Sequence, residues 1–207
     1  MDEVEMESSA EVHFAQQLAS NQPKIREKAL KKLGKWFALK SVSEDAFSSD
    51  GMLKLWKGLF YYFWNCDKPL FQEERADIIS RYIHVFKNLE CSFLYIDTFF
   101  LTMAREWGTI DRYRLEKFMM LVRKFLHQCY QLLQYLKWDP EHIRGFCKVM
   151  KKTVINPSHE GAPLGLKMHI CDIYMEELTL VGHEELTPDL VKMFLIPYCR
   201  MLWKCDE

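Results

Sequence analysis

Apolar side chains recur every three or four residues along nearly the whole chain, which is the spacing that one face of an α-helix requires. No segment alternates apolar and polar residues convincingly over the length of a β-strand. The pattern therefore predicts an all-α protein with nine helices. The first residues that mark these helices are, in chain order, Phe14, Pro23, Leu55, Pro69, Phe93, Leu115, Pro140, Leu166 and Pro188.

Prolines and glycines mark where the predicted helices begin and end. Pro23 and Pro188 suit the first turn of a helix, where a missing N–H group costs no hydrogen bond. Gly108 is predicted to end the fifth helix, and Gly182 is predicted to stop the eighth. The stretch 156–165, NPSHEGAPLG, holds two prolines and two glycines and is the clearest break in the pattern.

The third predicted helix, in LWKGLFYYFWNC (55–66), is apolar on more than one side. One stripe at helical spacing is accompanied by further aromatic residues outside it, and such a helix packs on several sides. We therefore predict that it is buried in the middle of a helical stack. A base-stacking platform is the alternative, although such platforms usually lie on sheets or OB folds. The stripe consists of Leu55, Trp56, Leu59, Phe60 and Phe63.

Short connections between successive helices favour antiparallel pairs, and pairs of roughly 40 residues predict a HEAT- or armadillo-like α-solenoid. No internal sequence repeat is obvious. Residues 12–207 are predicted to form a single helical-repeat domain, preceded by an acidic, disordered leader at 1–11. Because the last residues are hydrophobic, we expect this domain to be truncated at its C-terminus. No uncharged run approaches the roughly 20 residues of a membrane-spanning helix, so no membrane partner is expected.

Composition narrows the possible functions. The net charge is −1, so the molecule as a whole does not attract nucleic acid, and any such binding must come from local patches. The chain has seven cysteines, none of them in a C-x-x-C pair, and its first residues are too acidic for a secretory signal. We therefore expect buried thiols in a reducing compartment, without a disulfide or a structural metal.

No motif for catalysis or for a cofactor is complete. GAPLGLK (161–167) has the wrong spacing for a phosphate-binding loop, and no strand precedes it. His183-Glu184-Glu185 (183–185) matches H-x-E, but the P-C-x-x-C half of a deaminase zinc site is absent. His169 and Cys171 are two residues apart on a predicted helix and point in different directions. The sequence therefore predicts a protein that is not an enzyme and has no cofactor.

Two basic stripes are the candidate binding sites for RNA or an acidic partner. Each repeats cations along one side of a predicted helix, and such a stripe can follow a phosphate backbone through charge alone. The alternative interpretation is the solvated face of an amphipathic helix. The stripe on the second helix consists of Lys24, Lys28, Lys31 and Lys35, and that on the seventh of Arg144, Lys148 and Lys151, with Lys152 beside them.

Four segments resemble, in order and in spacing, the ribosomal RNA processing protein 1 family, also called the nucleolar Nop-type domain family. They are FAQQLASNQPKIREKALKKL (14–33), LWKGLFYYFWNCDKPLFQEE (55–74), MAREWGTIDRYRLEKFMMLVRKFL (103–126) and GLKMHICDIYMEELTLVGHEELTPD (165–189). The individual residues that match this family are called signature residues below. They are Leu55, Trp56, Lys57, Gly58, Leu59, Phe60, Asp67, Lys68, Pro69, Arg105, Glu106, Trp107, Asp111, Arg112, Arg114, Leu115, Lys117 and Phe118.

The resemblance implies a helical, non-enzymatic scaffold factor of the nucleus and nucleolus, acting in large-ribosomal-subunit assembly and pre-rRNA processing. Its implied partners are large-subunit assembly factors within pre-ribosomal particles, with pre-rRNA as a further candidate. The family has no catalytic residues to transfer. Its members extend beyond the region that matches here, with further helix and a charged tail. The alternative is a helical adaptor of the VHS or ENTH kind, which binds peptides or lipid headgroups.

Overall fold

The structure is a computed structural model that describes residues 10–43, 46–156 and 161–204, with side chains described up to residue 199. This part of the chain forms nine α-helices and no strand, which confirms the predicted all-α class. The helices are α1 (Ala10–Leu18), α2 (Pro23–Lys40), α3 (Ser49–Trp64), α4 (Pro69–Arg81), α5 (Leu89–Glu106), α6 (Leu115–Tyr135), α7 (Pro140–Lys152), α8 (Leu164–Gly182) and α9 (Pro188–Lys204).

The predicted leader lies mostly outside the described residues, which begin at Ala10. Ala10 and Glu11, its last two residues, belong to α1. Glu11 is buried, and its carboxylate forms an ion pair with Lys40 at the end of α2. None of the helices in the described residues is long and apolar enough to cross a membrane.

The helices form two layers. The odd-numbered helices, from α1 to α9, each contact the next in one layer, and α4, α6 and α8 do the same in the other. Helix α2 contacts the first helix of the second layer, α4. Arg75 of α4 forms an ion pair with Glu27 of α2 at 2.9 Å. Just after α4, the hydroxyl of Tyr82 donates a hydrogen bond to the Leu30 carbonyl at 2.6 Å. This arrangement is solenoid-like, as predicted.

Helix α3 lies between α1 and α5 in the first layer and is largely buried. The ring of Trp56 stacks on Tyr95 with 4.5 Å between centroids, and its Nε1 donates to the Tyr95 carbonyl at 3.0 Å. On another side of α3, Phe60 stacks on Phe118 at 4.7 Å. Contacts on several sides confirm the position predicted from the aromatic pattern, although Tyr61 is 38% exposed.

The apolar residues of α5 are distributed around the whole helix, so its periodicity does not single out one buried face. Phe93, Leu94 and Leu101 belong to this apolar pattern but are only partly buried. The most buried large side chains of α5 are Tyr95, Ile96, Phe99, Phe100 and Met103.

Helix α8 ends at Gly182 as predicted, but for a different reason. The residue with a positive φ at this end is His183, at 42°. A Cβ atom on Gly182 would lie 2.4 Å from the Cγ atom of Leu186. Glycine is therefore needed here because the chain folds back closely onto the helix end.

Candidate binding surfaces and signature segments

Two of the segments that resemble the family meet where α3 ends and α6 begins. The ammonium group of Lys117 donates hydrogen bonds to the carbonyl oxygens of Trp64, at 2.8 Å, and Cys66, at 2.7 Å. The guanidinium of Arg114 lies 4.7 Å from the centroid of the Trp64 ring. Both cations lie near the negative end of the α3 dipole, where positive charge is favourable. Burial lowers the pKa of Lys117, which is only 6% exposed.

The two signature tryptophans and the signature glycine lie inside the fold. Trp107 is buried, and its ring is nearly parallel to that of His169, with centroids 6.4 Å apart. A Cβ atom on Gly58 would lie 2.7 Å from the Cα atom of Ala15, so this glycine permits the close approach of α1 and α3. With Trp56 buried against Tyr95, all three signature residues have a packing role.

Among the remaining signature residues, Leu55, Leu59, Phe60 and Phe118 are buried, whereas most of the polar ones lie at the surface. Lys57 is exposed, as is the turn from Asp67 to Pro69 at the start of α4. Arg105 forms an ion pair with Glu106 at 2.8 Å. The guanidinium of Arg112 donates to the hydroxyl of the exposed Tyr113 at 2.5 Å. The preceding carboxylate, Asp111, instead accepts the backbone N–H of Tyr113 at 2.9 Å and orders the loop before α6.

The first predicted basic stripe forms one exposed face of α2, which also includes Lys32. We call these five residues the α2 lysine surface; in the described part of the chain none of their ammonium groups has a hydrogen bond or an ion pair. The nearby carboxylate of Glu27 is engaged with Arg75 and with the hydroxyl of Tyr62. The α2 lysine surface consists of Lys24, Lys28, Lys31, Lys32 and Lys35.

Aromatic packing beneath the α2 lysine surface holds the helix in place. Phe37 is fully buried and lies against Tyr82, Phe86 and Tyr95. Trp36 packs on Phe14 of α1, with 4.8 Å between ring centroids. The lysines therefore project from a helix that is anchored to both layers.

The second predicted stripe borders a groove between α7 and α9 with a volume of about 570 Å³. Its cations are exposed, while Ile143, Cys147 and Pro197 are buried at its floor. The thiol of Cys147 donates to the Met193 carbonyl at 3.7 Å and so links the two helices. We call this the α7–α9 groove; it is lined by Ile143, Arg144, Cys147, Lys148, Lys151, Met193, Ile196 and Pro197.

The structure does not place Lys152 in the α7–α9 groove. Its ammonium group forms an ion pair with Asp97 of α5 at 2.9 Å. The apolar half of the groove was missed by the sequence analysis. The only available signal was the spacing of Met193, Ile196 and Pro197 on α9, which shows no more than that these residues share one face.

The described residues include no group of three or more His, Cys, Asp or Glu side chains that could hold a metal ion. Cys66, Cys91, Cys129 and Cys147 are buried, whereas Cys171 is exposed. Nε2 of His169 lies 2.9 Å from the Met119 carbonyl oxygen. The predicted absence of a disulfide and a structural metal stays a prediction for the whole chain.

Comparison with known proteins identifies the family. The family described as "Nucleolar protein, Nop52" matches residues 9–207. The chain belongs to this family. The resemblance predicted from the quoted segments is thereby confirmed.

Relatives of this chain occur in several eukaryotes. Over 200 residues it is 41% identical to "Ribosomal RNA processing protein 1 homolog B" of Mus musculus, covering 96% of the chain and 28% of the relative. The Homo sapiens homolog B is 42% identical over 199 residues, covering 96% and 26%. The "Ribosomal RNA processing protein 1 homolog" of Caenorhabditis elegans is 35% identical over 199 residues, covering 96% and 49%. The chain thus spans about a quarter to a half of these relatives.

Proposed function

We propose that the protein is a non-enzymatic scaffold factor in large-ribosomal-subunit assembly and pre-rRNA processing, located in the nucleus and nucleolus. The observation that carries this proposal is the match of residues 9–207 to a family of nucleolar proteins. Relatives named as ribosomal RNA processing proteins, each aligned over most of this chain, support it. Its partners are large-subunit assembly factors within pre-ribosomal particles, together with pre-rRNA.

The fold supports a scaffold role through its two layers of packed helices. Helical stacks of this kind offer extended surfaces on which partners can be held at fixed positions. Ion pairs and hydrogen bonds between helices, such as Lys124–Asp77 and Arg123–Glu177, hold α4, α6 and α8 of the second layer together. A surface fixed in this way loses little conformational freedom when a partner binds.

The α2 lysine surface is the proposed contact for pre-rRNA. With a rise of about 1.5 Å per residue, Lys24 and Lys35 lie roughly 16 Å apart along the helix axis. Each exposed lysine contributes little alone, but several cations that neutralise phosphates together release counterions and give a strongly salt-dependent affinity. The carboxylate of Glu27, which lies nearby, is engaged with Arg75. In the described part of the chain, no carboxylate forms an ion pair with these lysines.

The test is a charge reversal of the surface. Tagged wild-type protein is compared by gradient sedimentation with the variant Lys24→Glu, Lys28→Glu, Lys31→Glu and Lys35→Glu, and each fraction is probed for precursor RNAs. We expect the wild type to travel with large-subunit precursors and the variant to lose this association, first at raised salt. The melting temperatures of both proteins must agree, as expected for substitutions at exposed positions.

A matched control carries the same change in charge at scattered exposed positions. It consists of Lys54→Glu, Arg81→Glu, Lys87→Glu and Lys137→Glu, and it should still associate with the precursors. If the wild type itself does not travel with large-subunit precursors, the proposed function is wrong. If the wild type travels with the precursors, but the variant and the control are both unaffected or are impaired to the same extent, the α2 lysine surface is not the contact.

A further inference from the structure

The α7–α9 groove has a different chemistry from the α2 lysine surface. Its floor is apolar, and Ile196 at its mouth is 47% exposed. Its volume of about 570 Å³ falls within the range of roughly 300–1,000 Å³ that is usual for binding sites. An occupant that covers this floor must itself be apolar on one side.

Among the described residues that line the α7–α9 groove, the cations lie along its α7 edge. Arg144, Lys148 and Lys151 follow the spacing i, i+4, i+7, which spans about 10 Å along a helix axis. In the described part of the chain none of the three has an ion pair, whereas Lys152 and Lys192 nearby are paired with Asp97 and Asp189. This edge is therefore complementary to a row of carboxylates.

We infer that the α7–α9 groove binds an acidic amphipathic helix of a partner protein. Its apolar side chains would cover Ile143, Met193 and Ile196, and its carboxylates would pair with the three cations of the α7 edge. Helices that place one apolar face in a groove are a common mode of peptide recognition, and charges at the rim set the orientation and speed of binding. The inference rests on the proposed function, since the partner is expected among the assembly factors.

RNA is a poorer match for this groove. None of the described lining residues has an aromatic ring on which a base could stack, and the side chains of these residues offer base edges no acceptor stronger than the sulfur atoms of Cys147 and Met193. Phosphates would contact the edge cations but would leave the apolar floor uncovered. The α2 lysine surface has no such floor, which is why the two basic surfaces are assigned to different partners.

The test uses the purified 207-residue chain and labelled synthetic helical peptides of about four turns, measured by fluorescence anisotropy. The probe carries Leu on one face and Glu at i, i+4 and i+7 along its edge. One altered peptide replaces Glu by Gln, and another replaces Leu by Ala. We expect the probe to bind roughly tenfold or more tightly than either altered peptide, because both charge and apolar contact contribute.

Matched protein variants locate the binding. Arg144→Gln with Lys148→Gln and Lys151→Gln should weaken the probe roughly tenfold, and Ile196→Glu should do so as well. Lys24→Gln with Lys28→Gln and Lys31→Gln has the same spacing on α2 and should leave the affinity unchanged.

Three outcomes would overturn the inference: no detectable binding of the probe, an equal loss in the α2 control, or displacement of the probe by single-stranded RNA in a manner that depends on the groove cations. Sedimentation with large-subunit precursors is scored separately. If the precursors are bound but the probe is not, the groove assignment alone fails.

Discussion

The ammonium group of Lys117, near the start of α6, lies 2.7 Å from the carbonyl oxygen of Cys66, just after the end of α3. The same group also donates to the Trp64 carbonyl at 2.8 Å. The last carbonyl groups of a helix have no partner within the helix, so a buried donor is required to satisfy them. Lys117 provides it and thereby connects two segments that characterise the family.

Replacing Lys117 by Met should destabilise the protein by about 1–3 kcal/mol, because the carbonyl groups of Trp64 and Cys66 lose their charged donor. The Cys66 carbonyl still accepts from Nε2 of Gln72 at 2.9 Å. Met retains the length and the apolar part of the side chain, so the change tests the hydrogen bonds rather than the packing. Urea denaturation followed by circular dichroism measures the difference in the free energy of unfolding.

The control for this prediction is Lys57→Met. Lys57 is also a signature lysine, but it is exposed, and its ammonium group has no hydrogen bond within the described residues. We expect the free energy of unfolding of the Lys57→Met variant to stay within about 0.5 kcal/mol of that of the wild type. Equal midpoints for the two variants would show that the contact of Lys117 with Trp64 and Cys66 contributes nothing to stability.

Two glycines in helices should respond to alanine with opposite signs. In Gly58→Ala the new Cβ atom would lie 2.7 Å from the Ala15 Cα atom and 2.9 Å from its carbonyl oxygen. Backbone atoms cannot turn aside as a side chain does, so α1 must shift away from α3. We expect a loss of about 1–3 kcal/mol, which is typical of overpacking.

Gly145→Ala, within α7, is the matched substitution. Its new Cβ atom would lie 3.6 Å from the nearest atom, Cε1 of Phe93, which is an ordinary contact. Because alanine loses less backbone entropy in a helix, this variant should gain about 0.5–1 kcal/mol. Thermal melts of both variants measure the two effects. A gain in Gly58→Ala would contradict the close approach of α1 and α3.

The helices could be predicted from sequence because their signals are local. Pro23, Pro69, Pro140 and Pro188 each begin a helix in the structure, as their fixed φ angle favours. The end of α4 was less clear. The apolar spacing continues to Phe86, because residues of the 3₁₀ turn that follows α4 also pack against the core. The α-helix itself ends at Arg81.

The candidate sites could be predicted only in part. Cations spaced along one helix can be identified in the sequence, and the structure places Arg144, Lys148 and Lys151 on one groove edge. The floor that changes the chemistry of this edge comes partly from Met193 on α9, about 45 residues later. Likewise, nothing local distinguishes Lys117 from a solvated lysine. Such properties depend on which helices pack together, and periodicity alone does not specify this.

The stability of the protein should also depend on the protonation of His169. Burial lowers the pKa of His169 from its ordinary value of 6.5, and the charge of Arg123 acts in the same direction. The hydrogen bond to the Met119 carbonyl and the charge of Asp172 oppose this shift, but burial prevails. The folded protein therefore holds this imidazole neutral at a pH where the unfolded chain begins to protonate it.

The sign of the effect follows from this difference. Above about pH 6.5 the imidazole is neutral in both states and its contribution to stability is complete. As the pH falls below that value and through the lowered pKa of the folded state, the unfolded chain binds more protons and the contribution is lost.

We expect His169→Gln, whose side chain can still donate to the Met119 carbonyl, to lose less stability than the wild type when the pH is lowered by about two units, from 7.5 to 5.5. Denaturant unfolding at both pH values measures this loss. The pKa of His84 is also lowered by burial, so some pH dependence remains, and His84→Gln combined with His169→Gln should reduce it further. If His169→Gln keeps the full pH dependence of the wild type, the imidazole titrates alike in the folded and unfolded states, and its contact with Trp107 does not depend on its being neutral.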